Sequence, residues 1–212
     1  LYAALKQFGV LDGVDLTSLR KSTSMLEGHP VPRVPGVQIG TGSLGQGLAA
    51  GLGMAYGMRL DQRDNRVFVL LGDGEMAEGS VWEALNLAPE LDVPNLTAIV
   101  DMNRLGQSDP TMLGWEADAL FRRASAFGWH TVETDGHSVE ELTETIGLAL
   151  DENRPSLVIA KTVKGKGVSF LEDAEGRHGK AIEGEELQRA REEIRSRIPS
   201  REPAPPDTIT VA

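Results

Sequence analysis

Asp73 lies between two glycines in Gly72-Asp73-Gly74-Glu75, directly after the apolar run 66–71, so it sits where a buried strand would end. Thirty residues on, the run 96–101 ends in Val100-Asp101-Met102-Asn103. If the two runs are neighbouring strands, about 5 Å apart, Asp73 and Asn103 become adjacent oxygen donors. Hard oxygens suit Mg²⁺ or Ca²⁺, which leave positions open for water and for the phosphate of a ligand. Taken singly, Gly-Asp-Gly is a turn and Asn103 a cap, and the strand on each side is what favours the metal. A second pattern, Gly40-Thr41-Gly42-Ser43-Leu44-Gly45, fits the Gly-x-Gly-x-x-Gly dinucleotide fingerprint, with Asp61 and Asp64 about twenty residues further on. It fails on context. Pro32 and Pro35 occupy the place of the required strand, and both aspartates precede the next strand instead of ending it. A nicotinamide dehydrogenase is therefore rejected.

These residues need a scaffold. The runs 66–71, 96–101, 129–133 and 157–163 are short and rich in β-branched residues, as buried strands are. Helical patterns cover 43–60, 80–91, 116–127 and 138–150, the last with a Ser138/Glu141 capping box and a stripe of Val139, Leu142, Ile146 and Leu150. Alternation of strand with helix implies right-handed crossovers and an α/β fold, a doubly wound parallel sheet with helices on both faces. Ligands of such sheets bind at the carboxyl edge, where Asp73 and Asn103 fall. A polar amphipathic helix over 185–197 follows. The run 199–206, with four of the eleven prolines, reads as a linker, so the expected organisation is one domain over 1–198 and a tail over 199–212.

At 212 residues the chain can bury a substantial core, and no apolar run approaches a membrane span. The 21 basic residues against 32 acidic give a net charge of −11, which disfavours nucleic acid. Without cysteine there is no disulfide frame or thiol nucleophile, and a reducing cytoplasm is the expected compartment. The chain opens on Leu1 in a helical pattern and reads as a fragment.

The strings Thr41-Gly42-Ser43-Leu44-Gly45-Gln46-Gly47, Leu71-Gly72-Asp73-Gly74-Glu75, Asn103-Arg104-Leu105-Gly106-Gln107-Ser108-Asp109 and Asp135-Gly136-His137 stand in the order in which similar strings occur in transketolase. So do Lys161-Thr162-Val163-Lys164-Gly165-Lys166-Gly167 and His178-Gly179-Lys180. The chain resembles that family, and the branch with the mammalian enzymes, from Leu1 to about Ile198. The resemblance implies a thiamine diphosphate-binding fold in which Asp73, Asn103 and the Leu105 carbonyl hold Mg²⁺ or Ca²⁺ against the cofactor diphosphate. It implies that Gly42, Ser43, Leu44, Gly74, Gln107 and Lys164 contact the cofactor, with Leu44 against its aminopyrimidine. His29 and His178 match positions implicated in substrate handling and proton transfer, His178 also touching the cofactor. His130 is assigned to packing and His137 to a turn. The segment 164–178, rich in glycine and carrying Glu172, Asp173 and Glu175, is expected to be mobile.

The implied reaction moves a two-carbon ketol unit from a ketose phosphate to an aldose phosphate. A pyrimidine-binding domain, in the same or a partner chain, would supply the activating glutamate within a homodimer or split heteromer. The other reading is a metal- and diphosphate-binding module without activity. Deoxyxylulose phosphate synthase, dihydroxyacetone synthase and pyruvate dehydrogenase components are the alternatives within the superfamily.

Overall fold

The structure is a computed structural model and describes residues 1–198, so the proline-rich run 199–206 lies outside the described residues. They form two compact units, 1–44 and 45–198. In the first, helix α1 (Tyr2–Gln7) and the loops that follow close on a small core of Leu11, Leu26 and Val34. No strand occupies residues 30–46, which removes the scaffold a dinucleotide fingerprint needs.

The second unit is built on four parallel strands, β1 (Val67–Gly72), β2 (Leu96–Met102), β3 (His130–Asp135) and β4 (Ser156–Lys161), in the order β1-β2-β4-β3. All four expected strands form, with ends moved by one or two residues. Helices α2 (Gly47–Leu60), α3 (Gly79–Glu90) and α4 (Ala117–Ala126) share one core with Val67, Val69, Leu71, Leu157 and Ile159. The chain advances across the sheet from β1 to β3 and then steps back to β4. A right-handed crossover in the reverse direction carries its helix to the opposite face. That helix is α5 (Val139–Leu150), which packs on β3 and β4. Val158 and Ala160 of β4 are correspondingly buried but lie outside the larger core. At β1 the same face is open, and Leu70 is 73% exposed. Helix α6 (Gly184–Arg197) follows, burying only Ala190. No helix among the described residues is long and apolar enough to cross a membrane.

Three local readings are corrected. The helix expected over 43–60 starts at Gly47, because Gly45 adopts φ +81° and turns the chain first. The capping box is half formed: Ser138 Oγ accepts from the Glu141 amide at 3.2 Å, but Glu141 Oε2 accepts from the Asp135 amide at 3.4 Å while the Ser138 amide donates to Asp135. Val139, assigned to the apolar stripe of α5, is 77% exposed, because it is the first residue of the helix, one turn before the stripe meets the sheet.

Helix α2 approaches β1 through small residues. A Cβ on Gly51 would lie 2.3 Å from Val69 Cγ2, whereas one on Gly53 would meet nothing within 4 Å. Gly51→Leu should therefore destabilise the fold by about 1–3 kcal/mol through overpacking. Gly53→Ala should stabilise it by about 0.5–1 kcal/mol through helix propensity. Denaturant unfolding of the two variants checks the contrast.

Candidate functional site

β1 and β2 lie side by side in parallel, Gly72 opposite Asp101, so their carboxyl ends bring Asp73 and Asn103 to one edge. The loop after β2 then folds back onto Asp73. Asn103 Oδ1 accepts from the Leu105 amide at 3.1 Å, closing a tight turn. This turn puts Arg104 at φ +63°, and the Arg104 amide reaches Asp73 Oδ2 at 2.6 Å. Thr111 Oγ1 donates to the same oxygen at 3.1 Å, and the Gly74 amide donates to Asp73 Oδ1 at 2.8 Å. Asp73 is only 9% exposed. Burial pushes its carboxyl pKa up; the donors from Arg104, Thr111 and Gly74 pull it down in part, and nearby Asp101 adds to the rise. The ionised carboxylate is thus held at a cost.

The donor set fits a hard cation. It offers one buried carboxylate, the Asn103 amide oxygen and the Leu105 carbonyl, and no group of three or more His, Cys, Asp or Glu that could hold a metal occurs among the described residues. A site with a single carboxylate suits a cation that shares phosphate oxygens with a bound ligand. The Gly74 backbone runs close to the returning loop: a Cβ there would lie in ordinary contact with Thr111 Cγ2 at 3.6 Å and Gly106 Cα at 3.7 Å. Asp73 and Gly74 line a cavity of about 540 Å³ together with Gly106, Gln107, Trp82 and Arg123.

Lys164, expected on the cofactor, is bound here to protein oxygens. Its Nζ donates to the Leu105 carbonyl at 3.1 Å and the Gly106 carbonyl at 3.2 Å, and lies 3.1 Å from His178 Nδ1. With an ammonium as donor, His178 Nδ1 accepts and the neutral ring carries its proton on Nε2. The Leu105 carbonyl keeps a second lone pair for a cation. The segment around Lys164 is tied down: the Asp173 amide donates to Lys164 O at 2.8 Å, the Glu172 carboxylate accepts from the Gly167 amide at 3.0 Å, and Asp173 pairs with Arg104. The Glu172 and Asp173 carboxylates of the segment expected to be mobile are thus half-buried anchors. Arg104 also lies over the Trp115 ring, 5.0 Å from its centroid.

The expected residues fall into two groups. Asp73, Gly74, Asn103, Leu105, Gln107, Lys164 and His178 belong to the second unit, whereas His29, Gly42, Ser43 and Leu44 belong to the first. Within the first, a Cβ on Gly42, at φ +113°, would lie 2.7 Å from His29 Cγ, so the imidazole packs directly on the glycine backbone. Leu44 is 55% exposed. His130, assigned to packing, is largely buried and also places Nδ1 3.2 Å from Glu152 Oε1 at the rim of the sheet.

Sequence reasoning missed three supports. Thr111 and Arg104 hold Asp73 from 38 and 31 residues away, and nothing in their spacing points to it. Glu75 had a signal, as the last residue of Gly-Asp-Gly-Glu. Its Oε1 accepts from the Gly45 amide at 2.8 Å and its Oε2 from the Gly72 amide at 3.3 Å, while Ser80 Oγ donates to the Gly45 carbonyl at 2.8 Å.

A doubly wound parallel sheet with oxygen donors at its carboxyl edge is the arrangement of a thiamine diphosphate-binding domain. Residues 1–200 match the family described as transketolase, thiamine diphosphate binding domain, and the chain belongs to that family. It is 48% identical to mouse (Mus musculus) transketolase over 202 residues, 95% of this chain and 32% of the relative. The chain thus spans about a third of the curated mammalian relatives. It is 36% identical to an apulose-4-phosphate transketolase subunit of Phocaeicola vulgatus over 199 residues, 93% of this chain and 71% of that relative. Among solved structures, the Pichia stipitis transketolase complex with sedoheptulose 7-phosphate superposes with a TM-score of 0.80 at 29% identity, covering 91% of this chain and 30% of that one.

Glu75→Ala should cost about 1–3 kcal/mol by leaving the part-buried Gly45 amide without its acceptor, whereas Glu75→Gln, keeping one carbonyl oxygen, should cost less. Denaturant melts of parent and both variants give the ordering.

Proposed function

We propose that this chain supplies the diphosphate- and metal-binding half of a transketolase that moves a two-carbon ketol unit from a ketose phosphate to an aldose phosphate. The observation that carries the reading is the buried Asp73 carboxylate at the carboxyl edge, costly unless a cation meets it, beside the oxygens of Asn103 and Leu105. Those three groups hold Mg²⁺ or Ca²⁺ against the cofactor diphosphate. Gly74 admits the phosphates, while Gly42 and Ser43 run along the cofactor and Leu44 offers its exposed apolar side chain to the aminopyrimidine. Gln107 contacts the cofactor from the cavity wall, and Lys164 contributes positive charge while steadying the two carbonyls. Thiamine diphosphate, when bound, supplies the nucleophilic thiazolium carbon and the electron sink. His29 and His178 orient the sugar phosphate and move protons at its oxygens, His178 through Nε2, the nitrogen left by its Lys164 contact.

Residues 1–198 form this half, and 199–212 are a linker or tail. A pyrimidine-binding domain in the same or a partner chain completes the site, as a homodimer or a split heteromer. The 71% coverage of a relative named as one part of a multi-chain enzyme supports the split arrangement, and the 32% coverage of mouse transketolase supports a longer chain. Ketol transfer assayed on this chain alone and with a separately expressed pyrimidine-binding domain tests the reading. Activity only in the mixture supports it, and none in either leaves a binding module.

Calorimetric titration with thiamine diphosphate and Mg²⁺ should show Asp73→Ala weakened by roughly 100-fold or more. In the parent, proton and cation compete for Asp73. Because its folded pKa is raised, the protonated form is favoured in the fold, and the apo protein loses the destabilising charge as pH falls through that raised value. Cation-dependent affinity should accordingly decline on acidification from a pH above the ordinary aspartate range. Equal affinity for mutant and parent would exclude the metal assignment.

In the completed enzyme, His178→Ala should lower turnover by roughly 10²-fold with little change in thermal midpoint. Normal turnover with a midpoint several degrees lower would assign this histidine to the fold.

A further inference from the structure

The turn after β3, Asp135-Gly136-His137, takes no part in the chemistry above, yet it grips the end of β4. The Gly136 amide donates to the Lys161 carbonyl at 2.8 Å. A Cβ on Gly136 would lie 2.4 Å from Thr162 Cγ2 and 3.0 Å from Lys161 O, so only glycine permits the approach. The His137 amide donates to Asp135 Oδ1 at 2.8 Å, which sets the turn, and His137 Nε2 accepts from the Val163 amide at 2.7 Å. With Nε2 as acceptor, the neutral ring carries its proton on Nδ1. Thr162 is gripped from the β2 side as well: its hydroxyl donates to Asp101 Oδ1, and Trp115 Nε1 donates to its carbonyl at 3.3 Å. After Val163 the chain is free of the sheet, and the next residue is Lys164, whose Nζ reaches the Leu105 and Gly106 carbonyls and His178.

We propose that His137 is a positioning residue: by accepting from the Val163 amide it fixes the direction in which the chain leaves β4, and so holds Lys164 on the Leu105 and Gly106 carbonyls. Touching neither cofactor nor substrate, it acts through Lys164, and the proposal rests on the functional reading above. A long lysine side chain spans several ångströms on flexible torsions, so holding its head on two carbonyls requires a fixed backbone at its root. The bond from the ring nitrogen to the Val163 amide supplies that on the β4 side, where the strand has ended, and the Asp173 amide, donating to the Lys164 carbonyl, holds the other side.

The test compares His137→Ala with His137→Gln in the full-length protein assembled with its pyrimidine-binding domain. Glutamine can present Oε1 where the ring presents Nε2. Amide hydrogen exchange of residues 162–168, measured without cofactor, should quicken in the alanine variant, and affinity for thiamine diphosphate with Mg²⁺ should fall roughly tenfold, the scale of a lost supporting contact around a metal site. The glutamine variant should recover most of both. Faster exchange with unchanged cofactor affinity would make the bond merely structural and overturn the proposal. Failure of glutamine to restore either readout would overturn it too, since the acceptor would not be what matters. If the parent binds no thiamine diphosphate, the functional reading fails separately, and the hold on the segment stands or falls on the exchange rates alone.

Discussion

A buried carboxylate with too little positive charge around it is the constraint on which the carboxyl edge depends. Asp73 receives three donors, two of them backbone amides, and burial still raises its pKa. Each donor comes from a segment that must follow a defined path: the Gly74 turn after β1, the Asn103-Arg104 turn after β2, and the strand-like return at Thr111, where Leu105 bridges to Pro110. The left-handed backbone of Arg104 belongs to the same economy. A non-glycine residue at positive φ is unfavourable by roughly 1 kcal/mol, and here it accompanies two bonds, the Arg104 amide to Asp73 at 2.6 Å and the Thr111 amide to the Arg104 carbonyl at 2.7 Å. Local strain is thus retained where it holds the buried carboxylate that is proposed to meet a cation.

Strand identity and the α/β class were legible because buried parallel strands are short β-branched runs and their crossover helices leave a 3.6-residue period. Asp73 and Asn103 were legible for the same reason, each standing where a run ends. What escaped is what has no period. Thr111 and the Asp173–Arg104 pair depend on how two loops return to the edge, and loop paths follow from individual turns rather than from patterning. Acidic residues at 172 and 173 lie in a glycine-rich stretch that reads as mobile in the linear chain; here both carboxylates are half-buried and bonded to other parts of the fold. Val139 shows the converse error, an apolar residue whose spacing fits the stripe but whose place at the helix start leaves it outside the packed face.

Glycine does unlike work at different points. At Gly51 it lets a helix lie on a strand, a matter of packing. At Gly45 it reverses the chain at φ +81°, where a Cβ would strike Ser80 Oγ at 2.4 Å, and Glu75 and Ser80 hold both its polar groups. Gly45 opens the second unit, immediately after Gly42, Ser43 and Leu44. Glu75 therefore links the loop after β1, which carries Asp73, to the backbone just past the residues proposed to run along the cofactor. The motif Gly-Asp-Gly-Glu thus contains two carboxylates of opposite use: Asp73 faces the proposed cation, and Glu75 spends its acceptor capacity on the protein's own amides.

Summed over the chain, the net charge of −11 disfavours a diphosphate as it disfavours nucleic acid. Range separates the two cases. Exposed charges are screened beyond about 8–10 Å in physiological salt, so the acidic surface acts on a long polyanion at many points and on a short anionic group mainly through its immediate neighbours. In the proposed site those neighbours are amides at glycine, the ammonium of Lys164, and the cation that Asp73 and Asn103 are proposed to hold. Lys164 has its head on two carbonyls, so its charge is localised rather than diffused over the rotamers of a solvated lysine. Local donors at fixed distances, not the sum over the chain, set whether a small anion is accepted. An acidic protein can therefore build a diphosphate site, provided the few positive groups it has are held where the anion lies.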